Sequence, residues 1–450
     1  MSRNDAALSQ MDREAINRLE VWIARQSGGR AQVRNISRLS GGAIQENWHL
    51  LLDIDGGDWP GSHDLVLRKD APSGVSVSHG RAEEFALLKT AHKAGVAVPT
   101  PCVLCEDTDV LGTPFFLMHR AEGSAAGHRL AKAGDNPELV KDLGRNLARI
   151  HAVADEPSIA FLDKPAGPPA ESLIAGMRAD LDALPDPHPV LEWGLSWLAA
   201  NAPAPATTVL CHRDYRTGNY MVADGALTAI LDWEFAAWSD PMEDIGWFTA
   251  KRWRFGAVDR EAGGVGALED FLTGYETESG RTIDRALIGY WQVLATVRWA
   301  VIALQQADRF VSGGEQNLEL ALTAHIVPEL EWDVLAATAP EVPVAEPEMP
   351  PRFPAPSTSA LLGLARDIVR GDLVPLLDGA GKYKALMAAN AMAIVGRQID
   401  ALSSGGAASS LAGDSDLARR LRRGGGTAED HALLTAVTRQ TLKLSNPRAL

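Results

Sequence analysis

Residues 209–232 constrain the fold of this chain more than any other stretch. Positions 211–219 read Cys-His-Arg-Asp-Tyr-Arg-Thr-Gly-Asn, and two short apolar runs within residues 209–231 flank Asp224-Gly225. An Asp-Gly pair between apolar runs is a strong signal for a tight β-hairpin turn. Because the turn folds the second run back on the first, Asn219 and Asp232 are predicted to be neighbours.

The spacing of the polar residues in this hairpin indicates a chemistry. His212, Asp214 two residues on and Asn219 five after that match the H-x-D-x-x-x-x-N catalytic loop of kinase-type phosphotransferases. His212 and Asp214 are therefore the predicted catalytic residues, with the Asp214 carboxylate taking the proton of an acceptor hydroxyl. Mg²⁺ prefers oxygen ligands, so Asn219 and Asp232 are the predicted metal ligands. The alternative is that these residues only cap a turn and end a strand.

These residues resemble the aminoglycoside phosphotransferase/choline kinase superfamily, over about residues 30–335. That superfamily has D-W-E or a similar triplet where protein kinases have D-F-G, and residues 232–234 here are Asp-Trp-Glu. Residues 240–246 resemble its D-P-x-x-D-L stretch, which implies that Asp244 braces the catalytic loop. The implied fold is α+β: a bilobal protein-kinase-like fold with a β-rich N-lobe, a mostly helical C-lobe and, here, an all-α C-terminal domain.

A kinase N-lobe needs a glycine-rich loop over the phosphates and a cation on its third strand. Ser40, Gly41 and Gly42 are predicted to form the loop, since adjacent glycines let backbone N–H groups approach a phosphate. Arg68 is the predicted cation, because strand alternation turns Lys69 to the other face. Most relatives have Lys here, although Arg also binds phosphate. The alternatives are a plain hairpin turn and a solvent-facing charge pair.

Two further N-lobe positions are assigned from the resemblance. Glu84, in a segment similar to the family's E…GVPVP stretch, would orient Arg68, with Glu83 as the alternative. Residues 116–120 would form the hinge strand, where the backbone near Phe116 and Met118 pairs with adenine; an ordinary core strand is the alternative. ATP and Mg²⁺ are therefore the predicted cofactors.

A proline-rich segment divides the chain. Seven prolines lie between Pro340 and Pro356, and this density excludes a continuous helix and favours a semi-rigid spacer. The predicted organisation is an N-terminal helix at 1–30, an N-lobe at 31–119, a C-lobe at 120–338, a linker at 339–356 and a helical accessory domain at 357–450.

Charge and cysteine content exclude several classes of protein. The chain has 58 acidic and 43 basic residues, a net charge of −15, which argues against a nucleic-acid partner and against an anionic membrane surface. The most apolar stretch, residues 291–304, is short and contains Arg298, so no membrane span is predicted. Three cysteines allow no disulfide framework, and a cytoplasmic location is predicted.

Four residues are candidates for contact with the acceptor. Arg252 and Arg254, in a basic and aromatic run, would clamp an anionic substrate or simply form a solvated helix face. Arg298 lies in an apolar helix, where a charge needs a partner; it would pair structurally or line the acceptor pocket. Glu234 of the D-W-E triplet is the fourth.

The acceptor is inferred from resemblance alone. The H-R-D-Y-R-T-G-N and D-W-E-F forms look like the branch related to kinase domains fused to acyl-CoA dehydrogenases, which implies a small-molecule hydroxyl acceptor, best a hydroxyacyl-CoA thioester. The alternatives are an aminoglycoside-type antibiotic phosphotransferase and a nucleotide-binding pseudoenzyme or scaffold.

The C-terminal region differs from the rest in charge. Residues 351–450 contain 13 Lys and Arg against 8 Asp and Glu, with four arginines between 419 and 423. A positive region on an acidic chain would dock on its own kinase region, suit a CoA phosphate or mediate a homo-oligomer, and an exposed solubilising face is the alternative.

Overall fold

The computed structural model describes residues 11–39, 45–70, 78–311, 323, 326–340, 358–403 and 414–450. The chain divides into two compact units, Met1–Pro165 with Ala206–Arg285, and Ala166–Pro205 with Ala286–Leu450. The predicted C-lobe, residues 120–338, is thus shared between both units. The glycine loop predicted at Ser40, Gly41 and Gly42 and most of the predicted linker, residues 341–356, lie outside the described residues.

The first unit contains all strands of the described chain. They are β1 Arg30–Arg38, β2 Gln45–Asp55, β3 Gly61–Asp70, β4 Pro101–Cys105, β5 Phe115–His119, β6 Val209–Cys211, β7 Tyr220–Ala223, β8 Ala226–Ile230 and β9 Ala237–Ser239. The first five form an antiparallel sheet in the order β1-β2-β3-β5-β4, while β6 pairs with β9 and β7 with β8. A small antiparallel sheet followed by helices is the predicted α+β arrangement.

Helices make up most of the remaining structure. Those of the first unit are α1 Arg13–Ser27, α2 Arg81–Lys93, α3 Thr108–Leu111, α4 Gly127–Ala133, α5 Pro137–His151, α8 Pro241–Thr249 and α9 Leu268–Ser279. Those of the second unit are α6 Pro169–Asp182, α7 Pro189–Ala200, α10 Ile288–Val311, α11 Val327–Ala337, α12 Thr358–Ile368, α13 Gly379–Ser403, α14 Ser415–Arg422 and α15 Ala428–Ser445.

The N-terminal helix α1 is part of the core of the first unit. The Asp12 carboxylate accepts a hydrogen bond from the Ala15 N–H at 2.7 Å and so caps the helix, which ends at Gly28 with φ of 68°. Leu19 and Ile23 are fully buried against the inner face of the sheet. The sheet therefore has a helical cover on this side, and the first unit includes the predicted N-terminal helix.

The Asp-Gly hairpin is present as β7 and β8. Tyr220 pairs with Ile230 and Ala223 with Ala226, and Asp224 and Gly225 have φ of 50° and 80°, the left-handed values that such a turn requires. Leu231 N donates to Asn219 O at 2.8 Å. Because Asp232 follows Leu231 in the chain, the hairpin brings Asp232 close to Asn219. The predicted neighbourhood of Asn219 and Asp232 follows from this register.

Helix α10 is longer than the sequence analysis expected. The apolar stretch at 291–304 is part of a helix of 24 residues. Among the described residues one segment, Arg285–Arg309, is long and apolar enough to cross a membrane by length and composition, and 56% of its most apolar window is buried inside the protein. The core helix of a soluble protein passes the same test, so this is weak evidence for a span.

The accessory helices share a core with helices of the predicted C-lobe. Val190 of α7 and Leu335 of α11 form one buried cluster with Leu417, Leu421 and Leu434 of α14 and α15. The His431 ring also lies 2.7 Å from the Leu335 carbonyl oxygen. Within the second unit, α14 and α15 therefore pack as an integral part of a helical core.

Candidate active site

The backbone of the catalytic loop is held by one buried carboxylate. Asp244, in the first turn of α8, accepts hydrogen bonds from the N–H groups of His212 and Arg213, both at 2.7 Å. Burial opposes ionisation of Asp244, but the hydrogen bond and charge of His151 outweigh it and lower the pKa of this carboxyl. Arg213 has φ of 64°. These bonds fit the bracing role that the resemblance implies for Asp244.

The Asp214 carboxylate is oriented by three donors. Trp247 Nε1 donates to Asp214 Oδ1 at 2.9 Å, and Arg216 Nε donates to the same oxygen at 3.0 Å. The Asn219 amide group donates to Asp214 Oδ2 and, at 3.1 Å, to the Asp214 carbonyl oxygen. Since Asn219 uses its nitrogen in these bonds, its side-chain oxygen remains as the atom for a metal ion.

His212 is a positioning residue. Its ring Nε2 lies 2.9 Å from the Leu231 carbonyl oxygen, and Nδ1 accepts the Asp214 N–H at 3.3 Å. The residue is fully buried, and burial lowers the pKa of this imidazole. Because backbone groups bind both ring nitrogens, His212 holds the loop in place. The prediction that it is catalytic is corrected accordingly.

The predicted cation, the buried Arg68, lies near three acids, and we call these four residues the Arg68 cluster: Arg68, Glu84, Asp232 and Glu234. Arg68 Nε contacts the Glu84 carboxylate at 3.0 Å, and Arg68 Nη1 contacts Asp232 Oδ1 at 3.0 Å. Arg81 also contacts Glu84. Lys69, on the other face of β3, lies 3.7 Å from Glu46. The structure thus forms the Arg68–Glu84 pair that the sequence analysis expected.

The alternative helix acid has a different contact. Glu83 accepts the Gly80 N–H at 2.8 Å and so caps α2. Its carboxylate is therefore engaged at the helix N-terminus, and Glu84 is the acid that meets Arg68.

One nitrogen of Arg68 has no hydrogen-bond partner within the described part of the chain. Nη2 is buried and has no hydrogen-bond acceptor among the residues that the structure describes. A buried unpaired donor is costly, and buried polar groups in folded proteins nearly always have partners. A phosphate oxygen would supply this acceptor, so the Arg68 geometry fits a phosphate ligand. Asp232, which has φ of 61°, and the Asn219 oxygen supply the hard donors that suit Mg²⁺.

Glu234 belongs to the Arg68 cluster. Its carboxylate accepts a hydrogen bond from Gln45 Nε2 of β2 at 2.9 Å. Burial raises the pKa of Glu234 to about 7, against the lowering effect of Arg68. The prediction that Glu234 contacts the acceptor is not supported, because its side chain is buried beside the cation of the nucleotide side.

The hinge prediction needs a correction. β5 lies between β3 and β4, so its backbone groups pair along both edges, and Arg120 N donates to Asp64 O at 3.1 Å. The Phe116 ring is buried, with its centroid 5.6 Å from that of Phe85. Phe116 is therefore a core residue, and its backbone is part of the sheet. An adenine contact of the half-buried Met118 stays a prediction.

Two of the three predicted acceptor arginines, Arg252 and Arg254, lie in the first unit, and Arg298 lies in the second. The buried Arg254 donates to the carbonyl oxygens of Thr249 at 2.8 Å and Val258 at 2.7 Å, so it ties its own loop together and is neither an anion clamp nor a solvated residue. Arg252 lies in the same 3₁₀ turn, Lys251–Arg254. Arg298 lies in the second unit on α10, half-buried. Substrate contacts of Arg252 and Arg298 stay predictions.

Sequence reasoning missed two tryptophans of the site. Trp247 donates to Asp214, and Trp253 stacks under Arg216, whose guanidinium carbon lies 4.6 Å from the ring centroid. Trp247 lies three residues after Asp244, one turn further along α8. A helix that starts with the bracing Asp would have suggested that this position faces the catalytic loop.

A second cluster of possible metal ligands lies beneath the loop. Side-chain atoms of His151, Cys211 and Asp244 lie within 4.8 Å of one another. Each already has a partner: His151 contacts Tyr275 at 2.8 Å, and Cys211 donates to the Asp240 carbonyl at 3.3 Å. Burial also raises the pKa of the Cys211 thiol, which disfavours the thiolate that a metal would need. This cluster is structural.

Comparison with known proteins gives the family. Residues 35–281 match the phosphotransferase enzyme family, and residues 375–449 match a domain of unknown function, DUF6285. The first match covers more than half of the chain. The chain therefore belongs to the phosphotransferase enzyme family, with a second conserved domain at its C-terminal end.

The curated relatives are longer proteins. The chain is 30% identical over 194 residues to acyl-CoA dehydrogenase family member 10 of Mus musculus, covering 41% of this chain and 18% of that protein. It is 24% identical over 287 residues to acyl-CoA dehydrogenase family member 11 of Pongo abelii, covering 60% and 37%. The chain thus spans well under half of the length of these relatives.

A solved structure shows the same fold. A Ralstonia eutropha protein assigned to the aminoglycoside phosphotransferases superposes with a TM-score of 0.56 at 22% identity, covering 72% of this chain and 98% of that one. This likeness confirms the kinase-like fold class that the sequence analysis predicted.

Proposed function

We propose that this protein is an ATP- and Mg²⁺-dependent kinase that transfers a phosphoryl group to a hydroxyl group of a small molecule. One observation carries the proposal: the Asp214 carboxylate is fixed by Trp247, Arg216 and Asn219 in a loop whose backbone is itself bound to Asp244. A carboxylate held in this way can accept the proton of an acceptor hydroxyl as that oxygen attacks the terminal phosphate.

The nucleotide side is supported by the Arg68 cluster. Arg68 would donate from Nη2 to a phosphate oxygen, while Glu84 keeps the guanidinium in place from behind. Asn219 and Asp232 would hold Mg²⁺, which neutralises charge on the transferred phosphate. Asp232 is paired with Arg68 Nη1 at 3.0 Å, so the proposed metal ligand and the proposed phosphate-binding cation are neighbours.

The proposed acceptor is a hydroxyacyl-CoA thioester. Its support is that the curated relatives of this region are named acyl-CoA dehydrogenase family members. Phosphorylation would turn the hydroxyl into a better leaving group for a later elimination. The aminoglycoside alternative rests on the net charge of −15, since an acidic protein attracts polycations. The scaffold alternative requires that the protein binds the nucleotide but transfers no phosphoryl group to an acceptor.

The test is Mg²⁺-dependent release of ADP from ATP with two sets of acceptors. A 4-hydroxyacyl-CoA is compared with the parent acyl-CoA that lacks the hydroxyl and with kanamycin-type aminoglycosides. Stimulation by the hydroxyacyl-CoA alone supports the proposal, and stimulation by the aminoglycosides alone replaces the acceptor. Binding of Mg·ATP without transfer to any acceptor would favour the scaffold.

Asp214→Asn tests the mechanism. We expect turnover to fall by about 10²- to 10⁴-fold, the usual contribution of a general base, with ATP affinity retained. Asp224→Asn is the matched control, because Asp224 lies exposed in the turn of the same hairpin at φ of 50°, a conformation that Asn also adopts. Equal turnover of both variants would contradict the role of Asp214.

We also place the accessory helices α14 and α15 on the kinase helices of their own chain. The shared buried cluster with Val190 and Leu335 supports this arrangement over a separate domain that only mediates a homo-oligomer. A cytoplasmic location and the absence of nucleic-acid and membrane partners stay predictions.

A further inference from the structure

A cavity of about 510 Å³ lies in the first unit, at the start of strand β6. Its walls come from the end of α5 at His151–Val153, from Thr207–Val209, from Trp238 of β9 and from Arg281 after α9. The catalytic loop begins at the opposite end of the same strand, at His212. Neither Asp214 nor any residue of the Arg68 cluster lines this cavity, so it is distinct from the candidate active site.

We propose that this cavity is a second binding site, for a small organic anion with a flat apolar body, and that its occupant acts on the catalytic loop. The cavity has two cations, Lys164 and Arg281, and one acid, Asp155. Lys164 pairs with Asp155 at 2.5 Å, which leaves Arg281 as the excess charge. Within the described part of the chain the Arg281 guanidinium has no hydrogen bond and no ion pair. A positive excess is unusual in a chain with a net charge of −15.

Trp238 gives the cavity its apolar wall. Lys164 Nζ lies 5.6 Å from the centroid of the indole ring, so a cation and a flat π-face stand side by side. The Trp238 indole N–H is buried and lacks an acceptor among the described residues. An unpaired buried donor indicates a missing partner, and an oxygen of an anionic ligand is such a partner. The apolar side chains of Val153 and Val209 complete this wall.

His151 connects the cavity to the catalytic loop. The residue lines the cavity, and its Nε2 lies 3.2 Å from Asp244 Oδ2. Asp244 accepts the backbone N–H groups of His212 and Arg213. A ligand that packs against His151 would therefore stabilise the Asp244 carboxylate. Asp244 holds the backbone of Arg213, the residue before Asp214. Coupling of two sites requires such a shared element.

The binding test uses 1-anilinonaphthalene-8-sulfonate, a flat apolar sulfonate whose fluorescence rises on binding. We expect Lys164→Met/Arg281→Met to weaken its affinity at least tenfold. The matched control is Lys141→Met/Arg145→Met, because these two cations of α5 pair with Glu138 and Asp142 outside the cavity. A loss below twofold is expected there, and equal affinities of wild type and both variants would overturn the site. Trp238→Phe provides a second, charge-neutral variant with an expected severalfold loss.

The coupling is measured by amide hydrogen exchange, which does not require kinase activity. With the sulfonate bound, the peptide covering residues 211–214 should exchange severalfold more slowly in the wild type and at an unchanged rate in Lys164→Met/Arg281→Met. Unchanged exchange in the wild type with the probe bound would disprove the coupling. Because neither readout uses ATP, failure here is distinguishable from failure of the proposed kinase activity.

Discussion

Arg68 in the first unit and Arg422 in the second are both held by buried acids, but they are completed differently. Arg422 contacts the buried Glu192 with Nε at 2.9 Å and also with Nη2, and it contacts Asp182 with Nη1 at 2.5 Å. Each of its three nitrogens thus has a carboxylate. Arg68 contacts Glu84 and Asp232, but its buried Nη2 has no acceptor within the described residues.

In the proposed kinase, this difference separates a structural arginine, Arg422, from a phosphate-binding one, Arg68. The Arg422 guanidinium fixes α14 to α6 and α7, since each of its nitrogens contacts a carboxylate. A buried guanidinium with one donor that lacks an acceptor is less stable by itself, and under the proposed function a phosphate oxygen would supply the acceptor for Arg68. The state of the hydrogen bonds, and not the charge or the burial, therefore indicates which arginine serves ligand binding.

The largest expected effect is a loss of stability when Arg422 is replaced. Arg422→Met leaves the Glu192 carboxylate buried and unpaired, so the free energy of unfolding should fall by about 3 kcal/mol, the lower end for breaking a buried pair. Urea denaturation measures this change. Arg423→Met is the control, because Arg423 is exposed and, among the described residues, makes no ion pair. If both variants lose equal stability, the contacts of Arg422 with Glu192 and Asp182 do not stabilise the second unit.

A pH titration probes the acids around Arg68. Burial raises the pKa of Glu234 to about 7 from 4.5, so the folded protein holds a proton here that the unfolded chain releases above pH 4.5. This contribution to stability is complete below pH 4.5 and is lost as the pH rises through 7. Between pH 5 and 8, the free energy of unfolding of Glu234→Gln should therefore fall by about 2 kcal/mol less than that of the wild type. Urea denaturation at both pH values tests this, and parallel profiles would contradict a buried neutral Glu234.

The smallest expected effect is a loss of nucleotide affinity when Arg68 is replaced. Arg68→Met should weaken binding of a non-hydrolysable ATP analogue with Mg²⁺ about tenfold, which is about 1.4 kcal/mol, whereas Arg68→Lys keeps the charge and most of the affinity. Calorimetric titration measures both. Lys69→Met is the control, since Lys69 lies on the opposite face near Glu46. A similar loss in Lys69→Met would mean that general charge, and not the open donor, attracts the nucleotide.

The sequence predicted the hairpin and its register correctly because the signals for them are local. The Asp-Gly turn places Leu231 and Asp232 beside Asn219 within a dozen residues, and the observed register agrees. The choice of Glu84 over Glu83 came from the family resemblance, and the structure pairs Glu84 with Arg68. The family and the fold class, both predicted from these motifs, are confirmed.

The failures share one physical cause, which is that a residue type does not reveal its partners. His212 and Arg254 are polar residues in a promising motif or a basic run, yet backbone carbonyls and amides of their own loops bind them. Phe116 was placed on the correct strand, but β5 is paired on both edges and its backbone is occupied. Only the pairing of strands and loops in three dimensions shows such occupancy.

The sequence by itself determined the family, the fold class and the hairpin that brings Asn219 and Asp232 together, because spacing along a strand or a helix turn fixes which side chains are neighbours. The tertiary structure alone decided the rest. The Arg422–Glu192 pair joins residues 230 positions apart, and the cavity beside Trp238 collects residues from α5, β6, β9 and the end of α9. Contacts over such separations depend on how whole elements pack, and no local pattern encodes that packing.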